Sequence, residues 1–458
     1  MDEIEQEREI VESPEHEETS EFHRSKPMRF AALELCGVGP FEHERIEFPK
    51  TPDGKAEVHI FTGINGCGKS TLLYALAGFF LPQSLAKRFW MQNENSFIEY
   101  LFDDSQKGWY DRLWGNCVLM RSDKKQTWYP FNKVTRNPVV YGDYFSTFRH
   151  VGGKFSTAIF AYSGSRTSAI TSVESLHSVY QELNATNLVE ALDFTVPPNS
   201  LRLGQWLRNK KVEAAHAHID REYDREVQIQ RSIDFIEEAI EQIIGSRVHF
   251  TYNTKSGAVK VIMHDKELEF DVLPDGLKSI IAWLAELVMQ LDGVNWTEEK
   301  PLAERDFILL LDEIEIHLHP LWQRKILPML QNLFVNAQIF IATHSPFVVN
   351  SVHDAWVYKL GVVDGKAKLL GCVPSKAGSS YLSVGEEIFD IPSYFDEQTE
   401  AEYAQFRVLR DRLLQNDTAA EAPFRELAGK LTNYGAEMRN LVMGEVRQLE
   451  RLKGRAYL

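Results

Sequence analysis

The sequence predicts an α/β fold, and three observations carry that reading. A glycine-rich loop joins an apolar run, Val58-His59-Ile60-Phe61, to a helical run, Thr71-Leu72-Leu73-Tyr74-Ala75-Leu76. A second unbroken apolar run, Phe307-Ile308-Leu309-Leu310-Leu311, ends in two carboxylates, Asp312 and Glu313. A third, Ile339-Phe340-Ile341-Ala342, ends in Thr343-His344-Ser345-Pro346. Continuous apolar runs of this length read as strands buried on both faces, the situation in a parallel sheet.

The loop is Gly63-Ile64-Asn65-Gly66-Cys67-Gly68-Lys69-Ser70, a complete Walker A pattern in strand–loop–helix context. Gly63, Gly66 and Gly68 let backbone N–H groups turn inward around an anion where a side chain would block them. Asn65, Cys67 and Thr71 fill the remaining nucleotide-lining positions. The N-terminus of the following helix adds partial positive charge at the same point. Lys69, expected to stand exposed in the loop, is placed to reach the β- and γ-phosphates, and the Ser70 hydroxyl to hold Mg²⁺. The cofactors implied are ATP and Mg²⁺.

Carboxylates at the C-terminal end of a buried strand sit where open α/β sheets place their ligands. Asp312 is expected to bind Mg²⁺ through water, as in a Walker B strand. Glu313 is expected to orient and deprotonate the attacking water. His344, after the third strand, is in place to sense the γ-phosphate.

The segments Gly63 to Ser70, Leu309 to Pro320 and Ala342 to Pro346 together resemble the ABC-type ATPases of the SMC, RecF and OLD group. The resemblance implies a P-loop ATPase head with a mixed sheet, a short helical insertion and a C-terminal helical region. It also gives Leu273-Pro274-Asp275-Gly276-Leu277-Lys278 the place of the ABC signature, which a second subunit supplies in that group so that ATP is sandwiched in a dimer. Gly276 and Lys278 become candidate nucleotide contacts in trans. Pro274 and Asp275 stand where the signature has a serine and its first glycine, so the hydroxyl contact to γ-phosphate is lost and a negative charge is added. Slow hydrolysis is the expectation, with Lys278 the nearest partner for Asp275. Leu277, Ile280, Ile281, Leu284, Leu287, Val288 and Leu291 recur at helical spacing behind the motif and predict a helix with one apolar face.

Within that group the chain is similar to ATPase subunits of bacterial anti-phage systems of the Septu and retron kinds, and more distantly of the PARIS kind. Met28 to Phe41, Phe270 to Trp283 and the ending Glu445 to Gly454 carry this narrower likeness. Members of the group work with a nuclease encoded beside them, so the resemblance implies a homo-oligomer, dimeric or higher, with a partner nuclease. A partner of the His-Asn-His type is favoured over a TOPRIM one, and DNA or another nucleic acid is a candidate contact. A RecF-like repair ATPase acting on DNA, and an ATP-binding scaffold without turnover, are the competing readings.

The organisation predicted is an acidic, disordered tail over 1–25, a first ATPase lobe over 26–180, a helical insertion over 181–246, a second lobe over 247–372 and a C-terminal helical region over 373–458. The chain has 458 residues, 44% of them hydrophobic, enough for a sizeable core. Its 50 basic and 66 acidic residues give a net charge of −16. The first twenty residues carry nine Asp or Glu and one Arg; they read as a solvated tail, or as an arm that docks a partner. Residues 247–272 read as a hairpin turning at Ser256-Gly257, and Ala158 to Tyr162 as a further buried strand. The insertion is too short for the long coiled coil of tethering relatives. Four scattered cysteines exclude a disulfide framework or zinc cluster. The acidic N-terminus does not read as a signal peptide and no apolar run approaches a membrane span, so a cytoplasmic protein is expected.

Four further features have two readings each. His216 and His218, two apart on a helix, do not share a face and are not expected to bind metal. His317 and His319 read as structural continuations of the Walker B motif. Basic-aromatic clusters at Arg121, Lys124, Lys125, Trp128 and Lys133, and at Arg202, Trp206, Arg208, Lys210 and Lys211, read as solvated faces or as backbone contacts to nucleic acid. Gln92, Gln106 and Gln126 are all candidates for a Q-loop glutamine. The residues after His344 show no strand ending in an Asp-x-Asp pair and no His-Asn-His pattern, which assigns nuclease chemistry to a partner.

Overall fold

The computed structural model describes residues 28–51, 54–80, 97–102, 110–114, 117–122, 125–130, 149–150, 154–163, 200–252, 259–375, 379–391 and 395–458. The acidic tail, Gln92, Gln106, Lys124, Lys133 and the 256–257 turn lie outside them. The chain divides into two compact units, 1–381 and 382–458.

The first unit begins with β1 (Phe30–Val38), β2 (Phe41–Glu47) and β3 (Glu57–Gly63), then helix α1 (Lys69–Phe80). β4 (Phe97–Phe102), β5 (Tyr110–Trp114), β6 (Cys117–Ser122) and β7 (Lys125–Pro130) follow. Next come the short β8 (Arg149–His150) and β9 (Lys154–Phe155), then β10 (Ala158–Ser163). Helices α2 (Ser200–Ile219) and α3 (Tyr223–Ile244) lead to β11 (Val248–Tyr252), β12 (Val259–Met263) and β13 (Lys266–Glu269). Helix α4 (Asp275–Gly293), β14 (Phe307–Asp312), α5 (Pro320–Leu333), β15 (Gln338–Ala342), α6 (Pro346–Val349), β16 (Trp356–Val363) and β17 (Lys366–Pro374) complete it.

Among the described residues a twelve-stranded mixed sheet runs β10-β14-β15-β3-β16-β17-β2-β1-β4-β5-β6-β7. β10, β14, β15, β3 and β16 pair in parallel; β2, β1, β4, β5, β6 and β7, in that spatial order, pair antiparallel. β17 joins the two halves, antiparallel to β16 and parallel to β2 at a single pair, Ala367 with Phe41. The apolar runs behave as their composition requires: all six residues of β14 and all five of β15 are buried. Parallel register aligns their ends, with Asp312 opposite Ala342 and Ala342 opposite Phe61. The sheet therefore delivers the residues after β3, β14 and β15 to one edge.

The core beneath that edge is aromatic. Phe48 packs edge-on against Phe340 at 4.9 Å, and Phe61 against Tyr358 at 5.3 Å. A polar network crosses it. Arg29 makes two hydrogen bonds to the Glu57 carboxylate, and the fully buried His59 lies 2.5 Å from the same group and 3.0 Å from the Tyr358 hydroxyl. Pairing of this kind is what keeps a buried charge tolerable.

Two local expectations are corrected, the 247–272 hairpin and the single apolar face of the helix behind the signature-like motif. The 247–272 segment is a three-stranded antiparallel sheet, because Lys266 to Glu269 adds a strand along β12. The helical insertion breaks at Asp220–Glu222, where Arg221 takes φ 62°, so α2 and α3 form a helix pair. Helix α4 buries the seven residues of its predicted face and also Ala282, Trp283, Ala285, Glu286 and Gln290, so it is enclosed on more than one side. Part of the second basic cluster is structural: Lys210 pairs with Asp292 at 2.6 Å and Lys211 donates to the Phe250 carbonyl at 3.0 Å.

The second unit is helical: the end of α7 (Tyr381–Glu387), then α8 (Glu397–Leu414), α9 (Glu421–Leu431) and α10 (Ala436–Lys453). Asp396 caps α8 through the Thr399 N–H. Phe406, Leu413, Phe424, Val442 and Val446 form its core. Among the described residues no helix is long and apolar enough to cross a membrane.

Candidate nucleotide site

The loop after β3 is held from below. A Cβ on Gly63, at φ 142°, would lie 2.2 Å from the Leu360 carbonyl oxygen of β16, so only glycine passes there. A Cβ on Gly68, at φ 95°, would lie 2.5 Å from the Phe41 ring. The turn between β1 and β2 is thus the floor of the loop. Ile64, Asn65 and Gly66 form its exposed crest, while Cys67, Gly68 and Lys69 are buried and Thr71 is partly so.

Lys69 departs from the expectation of an exposed side chain. Its ammonium folds back and donates to the Gly63 and Ile64 carbonyls at 3.0 and 3.1 Å, with Cys67 Sγ at 3.8 Å. An ammonium surrounded by loop carbonyls leaves little surface to water. Burial lowers its pKa from the ordinary lysine value, opposed by Cys67, Glu313 and Asp312. Burial likewise pushes the Cys67 thiol up.

The Walker A and Walker B segments meet. Ser70 Oγ donates to Asp312 Oδ1 at 3.1 Å. A hydroxyl beside a carboxylate is an all-oxygen donor pair, the chemistry that suits Mg²⁺. Glu313 follows in a left-handed conformation, φ 52°, and its N–H bonds to the Ala342 carbonyl at 2.9 Å. That backbone turn leaves its side chain partly exposed, 3.5 Å from His344 Nε2. His344 is held below the usual imidazole range by burial and by the Lys69 ammonium, against the opposing pull of Glu313.

Sequence reasoning passed over Glu315. Its carboxyl is buried; Oε1 accepts from the His344 N–H at 3.0 Å and from the Thr343 hydroxyl. Its signal was present in the run Asp-Glu-Ile-Glu, where a carboxylate follows Glu313 by two, but its burial follows from the turn after β14 rather than from strand alternation.

The signature-like residues sit at the start of α4. Pro274 is the N-cap and supplies no side-chain hydrogen bond. Gly276, expected as a nucleotide contact in trans, is buried: a Cβ there would lie 2.6 Å from the His317 carbonyl oxygen of the same chain. Lys278 Nζ lies 3.6 Å from Asp275 Oδ1, whose side chain is 85% exposed. His319 caps α5 by accepting from the Leu321 N–H. Among the described residues no cluster of three His, Cys, Asp or Glu side chains could hold a metal, His216, His218, His317 and His319 included.

The strand order and the meeting of the Walker A and Walker B segments give the chain the α/β fold of a P-loop ATPase domain. A family model described as "AAA domain, putative AbiEii toxin, Type IV TA system" matches residues 158–350, and one described as "AAA domain" matches residues 28–108. The chain is similar to the Septu protein PtuA of Bacillus thuringiensis, 21% identical over 341 residues, covering 72% of this chain and 75% of that one. It is also similar to the Retron Vc95 probable ATPase of Vibrio cholerae serotype O1 biovar El Tor, 33% identical over 152 residues. The Retron Ec83 probable ATPase of Escherichia coli is 38% identical over 91 residues. The retron matches cover 33% and 19% of this chain and span 28% and 17% of those proteins' lengths. The SMC head domain from Thermotoga maritima covers 76% of this chain and 100% of that one at 13% identity, with a TM-score of 0.40; a score that low adds nothing to the strand order and motifs.

Proposed function

We propose that the chain binds Mg-ATP, hydrolyses it slowly, assembles into a dimer or higher homo-oligomer, and regulates or scaffolds a partner nuclease in anti-phage defence. The observation that carries the nucleotide reading is the Ser70–Asp312 contact at 3.1 Å, with Lys69 buried beside it and Glu313 and His344 on the same sheet edge. The loop amides and Lys69 take the phosphates, and Lys69 exchanges its two carbonyl acceptors for phosphate oxygens. Ser70 and Asp312 would hold a Mg²⁺ ion, whose charge would offset that of the bound phosphates. Glu313 accepts the proton of the attacking water, and His344 orients Glu313 and the γ-phosphate. Similarity to Septu and retron ATPases supports the defence context.

The start of α4 favours a second reading, an ATP-binding scaffold without turnover. A proline N-cap offers no hydroxyl, and the exposed Asp275 carboxylate adds negative charge at the head of α4. Phosphate-release assays on the purified chain separate the two readings. Light scattering with and without ATP tests assembly; a monomer in both states at micromolar concentration contradicts it. Co-purification with the product of a neighbouring nuclease gene tests the partner.

A further inference from the structure

We propose that Glu315 is the positioning residue for His344, a latch that fixes the turn after β15 by accepting two hydrogen bonds on one oxygen. The inference rests on the nucleotide-site reading above. Glu315 Oε1 receives the His344 backbone N–H at 3.0 Å and the Thr343 hydroxyl. The same Thr343 oxygen accepts the Ser345 N–H at 2.9 Å, and Ser345 Oγ donates to Gln323 Oε1 at 2.6 Å. Gln323 in turn donates to the Leu318 carbonyl at 2.9 Å. Three consecutive residues, Thr343 to Ser345, are therefore tied to the segment between β14 and α5. The imidazole that reaches Glu313 at 3.5 Å hangs from this tied turn.

The second carboxyl oxygen says what kind of group this is. Glu315 Oε2 is buried with no hydrogen-bond partner among the described residues. An ionised carboxylate with one bare buried oxygen is costly. Burial accordingly raises its pKa above the usual carboxylate range, with the two donors opposing. Glu315 thus serves as a buried acceptor shaped by its two donors. Both hydrogen bonds it accepts come from the turn that carries His344, so what it holds is geometry.

The test compares Glu315→Ala, Glu315→Gln and Thr343→Val in the full chain. Glu315→Ala removes the acceptor and is expected to lower kcat about 100-fold, the scale of an ångström-level misplacement of a catalytic group, with KM for ATP within about threefold. Glu315→Gln keeps an acceptor oxygen at the same place and is expected to restore kcat to within about threefold of wild type, because the amide oxygen can still accept both hydrogen bonds. Thr343→Val keeps the volume and loses one donor, and is expected to fall between them. Amide hydrogen exchange across 343–346 gives a readout independent of turnover: His344 exchange accelerates in Glu315→Ala and stays slow in Glu315→Gln. Equal kcat and equal exchange in wild type and Glu315→Ala overturn the latch, as does a Glu315→Gln loss as large as that of Ala. If Glu315→Ala does not fold, the Gln and Val variants decide: wild-type rates and exchange in Thr343→Val, or a 100-fold loss in Glu315→Gln, overturn it. If wild type shows no hydrolysis, the ATPase reading fails on its own, and the exchange comparison alone judges the latch.

Discussion

Ser70 Oγ and Asp312 Oδ1 are 3.1 Å apart although 242 positions separate them in the chain. That contact brings the loop after β3 to the end of β14, with the hydroxyl donating to the carboxylate. The sheet order makes it possible: β15 lies between β14 and β3 and carries His344 to the same end of the strands.

Lys69→Ala is expected to abolish measurable ATP binding in calorimetry. Because Lys69 is buried and bonded to two loop carbonyls, the variant also loses about 1–2 kcal/mol of stability, the scale of one or two ordinary hydrogen bonds. Unchanged ATP affinity removes the Walker A assignment.

Gly276→Ala places a methyl 2.6 Å from the His317 carbonyl oxygen, a backbone atom that has no flexible side chain to yield. The strain is expected to cost about 1–3 kcal/mol, typical of overpacking, measured by denaturant unfolding. A neutral variant would show that the start of α4 moves freely away from the loop after β14.

Phe424 is fully buried in the C-terminal unit and stacks on Phe406 at 4.9 Å. Phe424→Ala is expected to destabilise that unit by about 3–5 kcal/mol, as for other buried Phe→Ala changes. Limited proteolysis would report this as early cutting within 382–458. Cutting rates equal to wild type would contradict the packing.

Replacing Pro274 by Ser and Asp275 by Gly restores a hydroxyl and removes a negative charge at the head of α4. Turnover is expected to rise if the contact from a second subunit limits the rate. A wild-type rate already on the order of 10 s⁻¹, a typical enzyme turnover, contradicts the slow-ATPase reading.

Much of this site was legible because its signals are local. A glycine loop, a buried strand ending in carboxylates and a turn after a third strand each occupy a few adjacent residues, and burial on both faces leaves an unbroken apolar run. What was not legible depends on contacts distant in sequence. Nothing near Lys69 shows that its ammonium folds back on Gly63 and Ile64. Glu315 reads as one more acidic residue until the turn after β15 is laid against it. The enclosure of α4 by several elements hides behind a clear amphipathic stripe, since Trp283, Glu286 and Gln290 look like solvent-facing positions. β13 was missed because Lys-Glu-Leu-Glu has too few apolar residues to announce a strand; it forms by pairing with β12.

The most direct test of the account is the single-turnover and steady-state hydrolysis of Mg-ATP by wild type and Glu313→Gln, with nucleotide affinity measured in parallel. Glu313→Gln keeps the side-chain shape and removes the base. The account predicts that affinity stays within about threefold while hydrolysis falls by roughly two to four orders of magnitude, the usual contribution of a general base. Hydrolysis by the variant at the wild-type rate would contradict it: Glu313 would not be the base, and the edge formed by β3, β14 and β15 would not be the hydrolytic site proposed here.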